Sequence, residues 1–321
     1  MPAGCNRTPL VAPTAPTTPP AAERTLTSPA PRAEIGIAGR TAESPADAAY
    51  LLEEDGTFWR SLRTPEGDAT LRLRPEAETL QVCAWGAGAA WSIDAAEELL
   101  GRRDESADSF VPDAPLLAAC GGRSPSRLAW RLGRSSTPYE TLLAIVVAQR
   151  VTGKEAWRGY RALLRRWGRP GPGPAPTWIA PEPAALARID VDELTALGID
   201  PRRARVLVGV ARQARALEGL AALSREDAYR RLLSLSGIGP WSAAKLMLCA
   251  LGDPDAVWVD DAHLADHVVW NLAGEARGSD ARMLELLEPY RGHRARVARL
   301  LELHGRRKPR FGARVAVTRY R

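Results

Sequence analysis

Two neighbouring carboxylates, Asp260 and Asp261, are the side chains of this chain best suited to catalysis. A carboxylate can act as a general base or stabilise a developing positive charge. Asp261 comes just before an apolar helical pattern that begins at Leu264, so it is also placed to cap that helix. The two roles are compatible, because a cap fixes the position of the carboxylate. Asp260 competes for either role, and the spacing alone leaves both residues open.

A glycine-rich turn lies 22 residues before Asp261, within Leu232–Lys245, which reads LLSLSGIGPWSAAK. Glycines let the backbone approach another surface closely, and the proline that follows them suits the first turn of a new helix. The N-terminus of that helix has unpaired N–H groups, which bind a phosphate without a charged side chain. This helix-hairpin-helix pattern is suited to holding a DNA backbone. The candidate DNA contacts here are Gly237, Ile238, Gly239 and Ser242.

Three other side chains belong to helices that would border the same cleft. Trp241 begins the second hairpin helix, where an aromatic residue is either part of the core or a stacking surface for a ligand. Lys245 follows one turn later, and it either enters the same space or is solvated. Gln149 ends the apolar run LLAIVVAQ, where it either hydrogen-bonds to the backbone or reads the edge of a base.

The chain has a formal net charge of +6, and its charged residues are unevenly distributed along the sequence. Residues 46–130 hold 8 basic and 15 acidic side chains, whereas residues 131–321 hold 32 basic and 20 acidic ones. The glycine turn lies in the basic part, where a phosphate-binding surface is expected. The alternative is that arginine is simply abundant in an Arg/Ala-rich chain.

The first half of the chain divides into a tail and a small domain. Residues 1–45 are rich in Pro, Thr and Ala, which predicts a disordered tail. Residues 46–130 contain TLRLRP and ETLQVCAW, whose alternation of apolar and polar residues predicts half-buried antiparallel strands. DAAEELLG, which follows them, predicts a short capped helix. The expected structure is a small α+β domain.

The second half is predicted to be helical over residues 131–305, with the helix-hairpin-helix at 228–251. Gly168–Pro176, with the sequence GRPGPGPAP, interrupts the helical pattern as a loop. Residues 306–321 are predicted to be a flexible basic tail. The fold class is therefore α+β, with helical domains that follow a small sheet domain.

Metal and membrane sites are not indicated by the sequence. The four cysteines are scattered, and His263 and His267 could share a metal on a helix but have no evident third ligand. No apolar run reaches the roughly 18–20 residues of a membrane span, and the N-terminus lacks the apolar core of a secretory signal. We expect a reduced, metal-free, cytoplasmic and nucleoid-associated protein without a membrane partner.

Together these motifs resemble the helix-hairpin-helix DNA glycosylase superfamily, and most closely its bacterial 3-methyladenine DNA glycosylase II type. The resemblance covers roughly residues 46–305, and is strongest over Tyr139–Gly153 and Ala228–Asp266. LSGIGPWSA resembles the family hairpin, and WVDDAHL resembles the segment whose second Asp is catalytic, which selects Asp261. LLAIVVAQRVT resembles the helix that ends in Gln, followed by a residue inserted into the duplex, which here is Arg150.

The resemblance implies an enzyme that flips an alkylated base, 3-methyladenine or also 7-methylguanine, out of duplex DNA and hydrolyses its N-glycosidic bond. Trp241 stands where bifunctional relatives have a nucleophilic Lys, which implies direct hydrolysis by water. Tyr290, in a segment that often reads Pro-Trp-Arg, would be a pocket aromatic. Lys245 stands where the closest relatives have a pocket aromatic, and Arg150 where an apolar wedge is usual. No cofactor is implied beyond a monovalent cation at the hairpin, and the expected state is a monomer.

Three alternatives remain open. The same fold could act on deaminated bases or on other lesions. A helix-hairpin-helix protein could bind DNA without catalysis, although such modules are usually much shorter. A bifunctional lyase could use Lys245 as its nucleophile.

Overall fold

A five-stranded antiparallel sheet forms the first part of the structure. The computed structural model describes residues 19–27, 49–123 and 131–308. The sheet order is β1-β5-β4-β3-β2, so the first strand lies beside the last. Its strands are Ala22–Thr27 (β1), Tyr50–Leu52 (β2), Phe58–Thr64 (β3), Gly67–Glu76 (β4) and Thr79–Trp85 (β5). The sequence prediction of strands at TLRLRP and ETLQVCAW is confirmed by β4 and β5.

One face of the sheet packs against a helix, Ala89–Leu99 (α1). Alternate residues of the strands, such as Phe58 and Leu62 of β3, point to this side and form a core with Ile93 and Ala96 of α1. Period-two alternation along each strand places these apolar side chains on the same face. The helix therefore covers the larger apolar side of the sheet.

The opposite face of the sheet is covered by the Pro/Gly loop predicted from the sequence. Trp59, Cys83 and Trp85 are buried there against Ala175 of the loop. Ser61 of β3 hydrogen-bonds with Thr177, with 2.6 Å between the hydroxyl oxygens. A Cβ at Gly171 would lie 1.9 Å from the Ser61 hydroxyl oxygen, and one at Gly173 would lie 2.7 Å from the Thr70 side chain. The glycines therefore allow the loop to lie directly on the sheet.

The structure corrects the predicted disorder of residues 1–45 in one place. Residues 22–27 form β1, which pairs with β5 in register from Ala22 opposite Ala84 to Thr27 opposite Thr79. Leu26 is buried in the core beneath α1. The pairing stabilises a segment whose local composition is that of a linker. The remainder of the predicted tail, residues 1–18 and 28–45, lies outside the described residues, as do residues 309–321 of the basic tail.

The helix after the sheet begins earlier than the sequence predicted. DAAEELLG suggested a helix capped by Asp94, but α1 begins at Ala89 after Gly88 and has no side-chain cap. Ala89 and Ile93 face the sheet, so burial extends the helix by one turn beyond the capping signal. Asp94 lies within the helix and pairs with Arg24 of β1 at 2.8 Å.

The helical part follows a short helix, Ala114–Ala119 (α2), and confirms the predicted helical domains. Two short strands, Arg169–Pro170 (β6) and Trp178–Ile179 (β7), flank the Pro/Gly loop. The described helices are Pro138–Val147 (α3), Gly153–Trp167 (α4), Pro183–Leu186 (α5), Val191–Thr195 (α6), Pro201–Arg212 (α7), Ala214–Glu218 (α8), Arg225–Leu233 (α9), Pro240–Leu251 (α10), Leu264–Ala273 (α11), Asp280–Leu287 (α12) and Arg294–His304 (α13).

Helix α3 lies at the centre of the helical part and packs against both α7 and α10. Nine of its ten residues are buried, in agreement with the continuous apolar run of the sequence. The next helix, α4, is amphipathic and begins with a capping box formed by Thr152 and Glu155. The turn between α3 and α4 is thereby fixed at the surface, and it contains Gln149 and Arg150. None of the described helices is long and apolar enough to cross a membrane.

A buried polar seam joins the sheet to α3. Glu140 of α3 accepts a hydrogen bond from the Arg63 N–H at 2.9 Å. The buried Arg60 guanidinium donates to the Ser135 carbonyl and to the Thr137 hydroxyl. Burial raises the pKa of Glu140 to about 7, although Arg60, the Arg63 N–H and the Arg63 charge act in the opposite direction. The seam therefore contains a carboxyl group that titrates near neutral pH.

We expect the protein to lose stability as the pH rises from 5 to 8, in part because of Glu140. Its folded pKa of about 7 lies above the usual 4.5, so the folded state holds this proton more tightly than the unfolded state. The stabilisation is complete below pH 4.5 and is lost as the pH rises through 7, by about 3 kcal/mol. Urea unfolding at several pH values should show this loss in the wild type and a smaller one in Glu140→Gln. Identical pH profiles for the two proteins would contradict the assignment.

Candidate active site

The glycine turn of the predicted hairpin joins α9 to α10, and its two glycines differ in what they contact. Gly237 has φ +82°, and a Cβ there would lie 2.1 Å from the Val206 side chain. Gly239 has an ordinary φ of −94°, and a Cβ there would meet no atom within 4 Å. The fold therefore requires glycine at 237 but not at 239. Glycine at 239 leaves the backbone open to an external surface.

The turn is anchored from inside by Ile238, whose side chain is buried while both glycines are exposed. Gly239 is the N-cap of α10, Pro240 is the first helical residue, and no side chain caps this end. The first N–H groups of α10 therefore face outward without an intrahelical acceptor. An exposed helix N-terminus of this kind is a binding site for an anion.

Gln149 joins α3 to the hairpin. Its Nε2 donates to the Gly237 carbonyl and to the Ser242 hydroxyl, at 2.9 Å in each case. Ser242 itself is buried in the first turn of α10. The backbone contact that the sequence allowed for Gln149 is present, and its amide holds the turn against the helix. Contact with a base remains a prediction for this residue.

Asp261 lies beside the hairpin helix, although it follows α10 at a distance in the sequence. Its Oδ2 accepts a hydrogen bond from the Trp241 indole Nε1 at 2.9 Å. Its Oδ1 accepts from the backbone N–H groups of His263 and Leu264, at 3.0 and 3.1 Å. Asp261 therefore holds the N–H groups at the start of α11, in line with the capping role that the sequence allowed, and it also contacts Trp241 in the first turn of α10. One carboxylate therefore links the starts of α10 and α11.

Asp261 carries a negative charge near neutral pH. Burial alone would raise its pKa, but hydrogen bonds from Trp241 and His263, together with the Lys245 charge, lower it below the usual value. The carboxylate is half-buried, so its charge acts in a site with limited access to water. Such a group can stabilise positive charge that develops on a bound sugar, or it can orient a water molecule.

Asp260, the competing carboxylate, has a different position. It is exposed and lies in the left-handed region with φ +59°. Its backbone N–H donates to the Asp280 carboxylate at 2.8 Å. This conformation turns the chain so that only the second carboxylate faces Trp241. The structure therefore gives different positions to two carboxylates that the sequence spacing could not distinguish.

The loop that carries Asp261 is anchored at its start by Asp255. This buried carboxylate accepts hydrogen bonds from Arg294 and Arg225 and from the Gly292 N–H. Burial would raise its pKa, but the Arg294 side-chain and backbone donors and the Arg225 side chain lower it to about 2. Sequence analysis did not identify this cluster. Its partners lie 30 to 39 residues away in the chain, and no local pattern connects them.

Lys245 lies one turn after Trp241 on α10. Its Nζ is 3.7 Å from the centroid of the fully buried Trp258 ring and 6.0 Å from that of Trp241. Sequence analysis did not identify Trp258, although it precedes Asp261 by only three residues. The sequence signal that could have identified Trp258 is its position, because it is an aromatic residue two positions before the Asp pair.

Tyr290 is a predicted pocket residue whose hydrogen-bond partner lies away from Asp261. It lies in a short 3-10 helix, Glu288–Tyr290, and its hydroxyl donates to the Asp113 carboxylate at 2.7 Å. Asp113 in turn caps α2. The ring is half-buried against the helical core. Stacking of Tyr290 on a base remains a prediction.

Arg150 is exposed at the end of α3 and has φ +55°, which is uncommon for a residue with a side chain. It makes no hydrogen bond or ion pair with any described residue. The side chain next to the fixed Gln149 is thus available to a ligand. Its insertion into a duplex remains a prediction.

The histidine pair does not form a metal centre among the described residues. The His267 Nε2 hydrogen-bonds to the Leu301 carbonyl at 2.8 Å, and His263 is exposed at the start of α11. No group of three or more potential metal ligands occurs in the parts of the chain that the structure describes. Cys83, Cys120 and Cys249 are buried free thiols.

The sequence is similar to a known family model and to several known proteins. The family model "HhH-GPD superfamily base excision DNA repair protein" matches residues 143–291. A "Probable bifunctional transcriptional activator/DNA repair enzyme AlkA" of Mycobacterium tuberculosis is 30% identical over 245 residues, which are 73% of this chain and 48% of that protein. A "Thymine-DNA glycosylase" of Aeropyrum pernix is 29% identical over 133 residues, which are 40% of this chain and 51% of that protein. The chain thus spans about half the length of these relatives.

The fold is also found in a solved structure. A 3-methyladenine DNA glycosylase from Archaeoglobus fulgidus superimposes with a TM-score of 0.69 and 21% sequence identity. The match covers 87% of this chain and 97% of that one. It therefore extends beyond the family-model segment.

Proposed function

Because residues 143–291 match the family model of HhH-GPD superfamily base excision DNA repair proteins, we propose that the protein is a monofunctional DNA glycosylase. It would hydrolyse the N-glycosidic bond of a damaged base in duplex DNA and leave an abasic site. The observation that carries this proposal is the half-buried Asp261 carboxylate, which is fixed by Trp241 beside the hairpin turn.

The hairpin would hold the DNA backbone near the lesion. The exposed glycines of the turn and the uncapped N-terminus of α10 offer N–H donors to a phosphate. Turn carbonyls near Gly237 would hold a monovalent cation, which would add positive charge next to that phosphate. The damaged nucleotide would be extruded from the stack, which costs a few kcal/mol, into the space beside Trp241.

Asp261 would act on the sugar of the extruded nucleotide. Its negative charge would stabilise the oxocarbenium character that develops as the base leaves, and it would orient the attacking water. Trp241 occupies the position of the nucleophilic Lys of bifunctional relatives, and an indole cannot form a Schiff base. The proposed products are therefore a free base and an intact strand with an abasic site.

The first candidate substrates are alkylated bases, 3-methyladenine and also 7-methylguanine, which the resemblance to the 3-methyladenine glycosylase II type implies. Alkylation at N3 or N7 makes the base a good leaving group. An electron-poor base would gain about 0.5–2 kcal/mol from contact with aromatic faces such as those of Trp241 and Tyr290. Deaminated bases are the second candidate class, and the position of Lys245 favours them.

The test is base release from duplex DNA treated with a methylating agent, followed by chromatography of the released bases. The proposal expects free 3-methyladenine and strands that break only after alkaline treatment. Strand cleavage without alkali, together with borohydride trapping of the protein on DNA, would instead indicate a lyase. Retained DNA binding with no base released from any lesion would indicate a binding protein without catalysis.

The two glycines of the turn provide a matched pair of variants for DNA binding. We expect Gly239→Ala to keep its thermal stability and to bind duplex DNA about tenfold more weakly, because its methyl group meets no protein atom and instead displaces a phosphate. Gly237→Ala should lose about 1–3 kcal/mol of stability, because of its positive φ and its contact with Val206. Fluorescence anisotropy and thermal unfolding measure the two effects. Unchanged DNA affinity in Gly239→Ala would exclude the turn from the interface.

A further inference from the structure

The Lys245 ammonium group is enclosed by aromatic rings rather than by hydrogen-bond acceptors. It lies over the face of Trp258 at 3.7 Å, and the Trp241 ring is 6.0 Å away. The Lys245 side chain is half-buried, so part of it remains accessible from outside. An ammonium group has three donors, and no described residue accepts a hydrogen bond from it. The aromatic faces offset part of the cost of burial but satisfy none of these donors.

Burial and the neighbouring charges act in opposite directions on the pKa of Lys245. Burial lowers its pKa, and Arg299 acts in the same direction, whereas Glu302, the Cys249 thiol and Asp261 oppose the decrease. The Lys245 charge in turn helps to keep the Asp261 pKa low. A ligand that enters beside Trp241 would therefore meet hydrogen-bond donors and positive potential on this side.

We propose that Lys245 determines lesion preference: it favours an electrically neutral base with a carbonyl oxygen over a positively charged alkylpurine. This inference rests on the proposed glycosylase function and assigns the substrate class of the same site. A carbonyl oxygen would supply the acceptor that the ammonium group lacks, and a charge-assisted hydrogen bond is stronger than a neutral one. A cationic base would instead meet a like charge in a site of limited solvation.

The position of Lys245 favours contact with the base rather than with the sugar. Trp241, which contacts Asp261, lies at the first turn of α10, and Lys245 lies one turn further from the hairpin. One helical turn corresponds to about 5 Å along the axis. A sugar held beside Asp261 would thus be nearer to Trp241, and its base would extend toward Lys245.

The experiment compares single-turnover excision of hypoxanthine and of 7-methylguanine from otherwise identical duplexes. Both bases carry a carbonyl oxygen at C6, but the second carries a positive charge. We expect the hypoxanthine to 7-methylguanine rate ratio to fall about 10- to 100-fold in Lys245→Met and to be largely kept in Lys245→Arg. Lys154→Met, which removes an exposed lysine at the start of α4, is the matched control and should leave the ratio unchanged.

Each outcome has a distinct meaning. A fall of the ratio in Lys245→Met alone supports the proposal. The same ratio in the wild type and in Lys245→Met overturns it while leaving the glycosylase function intact. Release of no base by any of the proteins overturns both. If Lys245→Met does not fold, the rate ratio is measured in Lys245→Gln and in the wild type instead. A wild type that excises 7-methylguanine faster than hypoxanthine contradicts the inference. Borohydride trapping that disappears in Lys245→Arg would assign the lysine to lyase chemistry instead and overturn the proposal.

Discussion

Replacement of Asp261 by Asn is expected to reduce base release by about 10²- to 10⁴-fold, while the protein still folds and binds DNA. The amide keeps an oxygen that can accept either from the Trp241 indole or from the N–H groups that begin α11, so the loop should keep its position. What is lost is the negative charge that would stabilise the positive charge on the sugar. Single-turnover excision and anisotropy on the same lesion duplex separate the two effects.

Asp260→Asn is the matched control for this prediction. The residue is exposed, its side chain is not the one that faces Trp241, and Asn tolerates its positive φ. We expect wild-type rates from this variant. Loss of activity in Asp260→Asn with retention in Asp261→Asn would reverse the assignment. Loss of folding in Asp261→Asn would show that the capping role predominates.

Replacement of Asp255 by Ala is expected to destabilise the protein by about 3–5 kcal/mol. The buried carboxylate is the shared acceptor for Arg294 and Arg225, and for the N–H groups of Gly292 and Arg294. Its removal takes the main acceptor from the partly buried Arg294 guanidinium and from two backbone N–H groups, whereas Arg225 keeps its ion pair with Asp253. Breaking a buried pair in this way costs more than the pair itself contributes. Urea unfolding at neutral pH measures the loss.

An exposed ion pair provides the comparison for Asp255. Glu285 pairs with Arg282 at 2.8 Å on the surface of α12, and Glu285→Gln should change stability by less than 1 kcal/mol. The low pKa of Asp255, about 2, also fixes the sign of its pH dependence. The stabilisation is present above pH 4 and is lost as the pH falls toward 2. Equal losses in the two variants would contradict the role assigned to burial.

The features that sequence analysis predicted correctly are those with local signals. The two glycines and the proline at 240 mark the turn and the start of α10 through backbone geometry alone. The alternation in β4 and β5 needs only neighbouring residues. The cap formed by Asp261 is likewise a local feature, since its partners are two and three residues away.

The features that could not be predicted depend on contacts between distant segments. Gln149 reaches a carbonyl 88 residues later, and Tyr290 reaches a carboxylate 177 residues earlier. Strand β1 is stabilised by β5, whose paired residues lie 52 to 62 positions away, so its own composition indicated only a disordered tail. A single sequence does not reveal which segments meet. Sequence analysis therefore proposed candidate site residues but could not predict the distant contacts that hold them.

The Pro/Gly loop that covers the second face of the sheet has a consequence for how the chain can be divided. The sheet lies in residues 22–85, but the loop that buries Trp59 and Trp85 belongs to the helical half. The sheet and the helical half are consequently not independent folding units, because each lacks part of its own apolar cover when separated from the other. Recombination, truncation or fusion at the point where strand patterns give way to helical ones would expose indole rings to water. The apolar cover of the sheet is therefore complete only with a loop that lies some 90 residues after the last strand of the sheet.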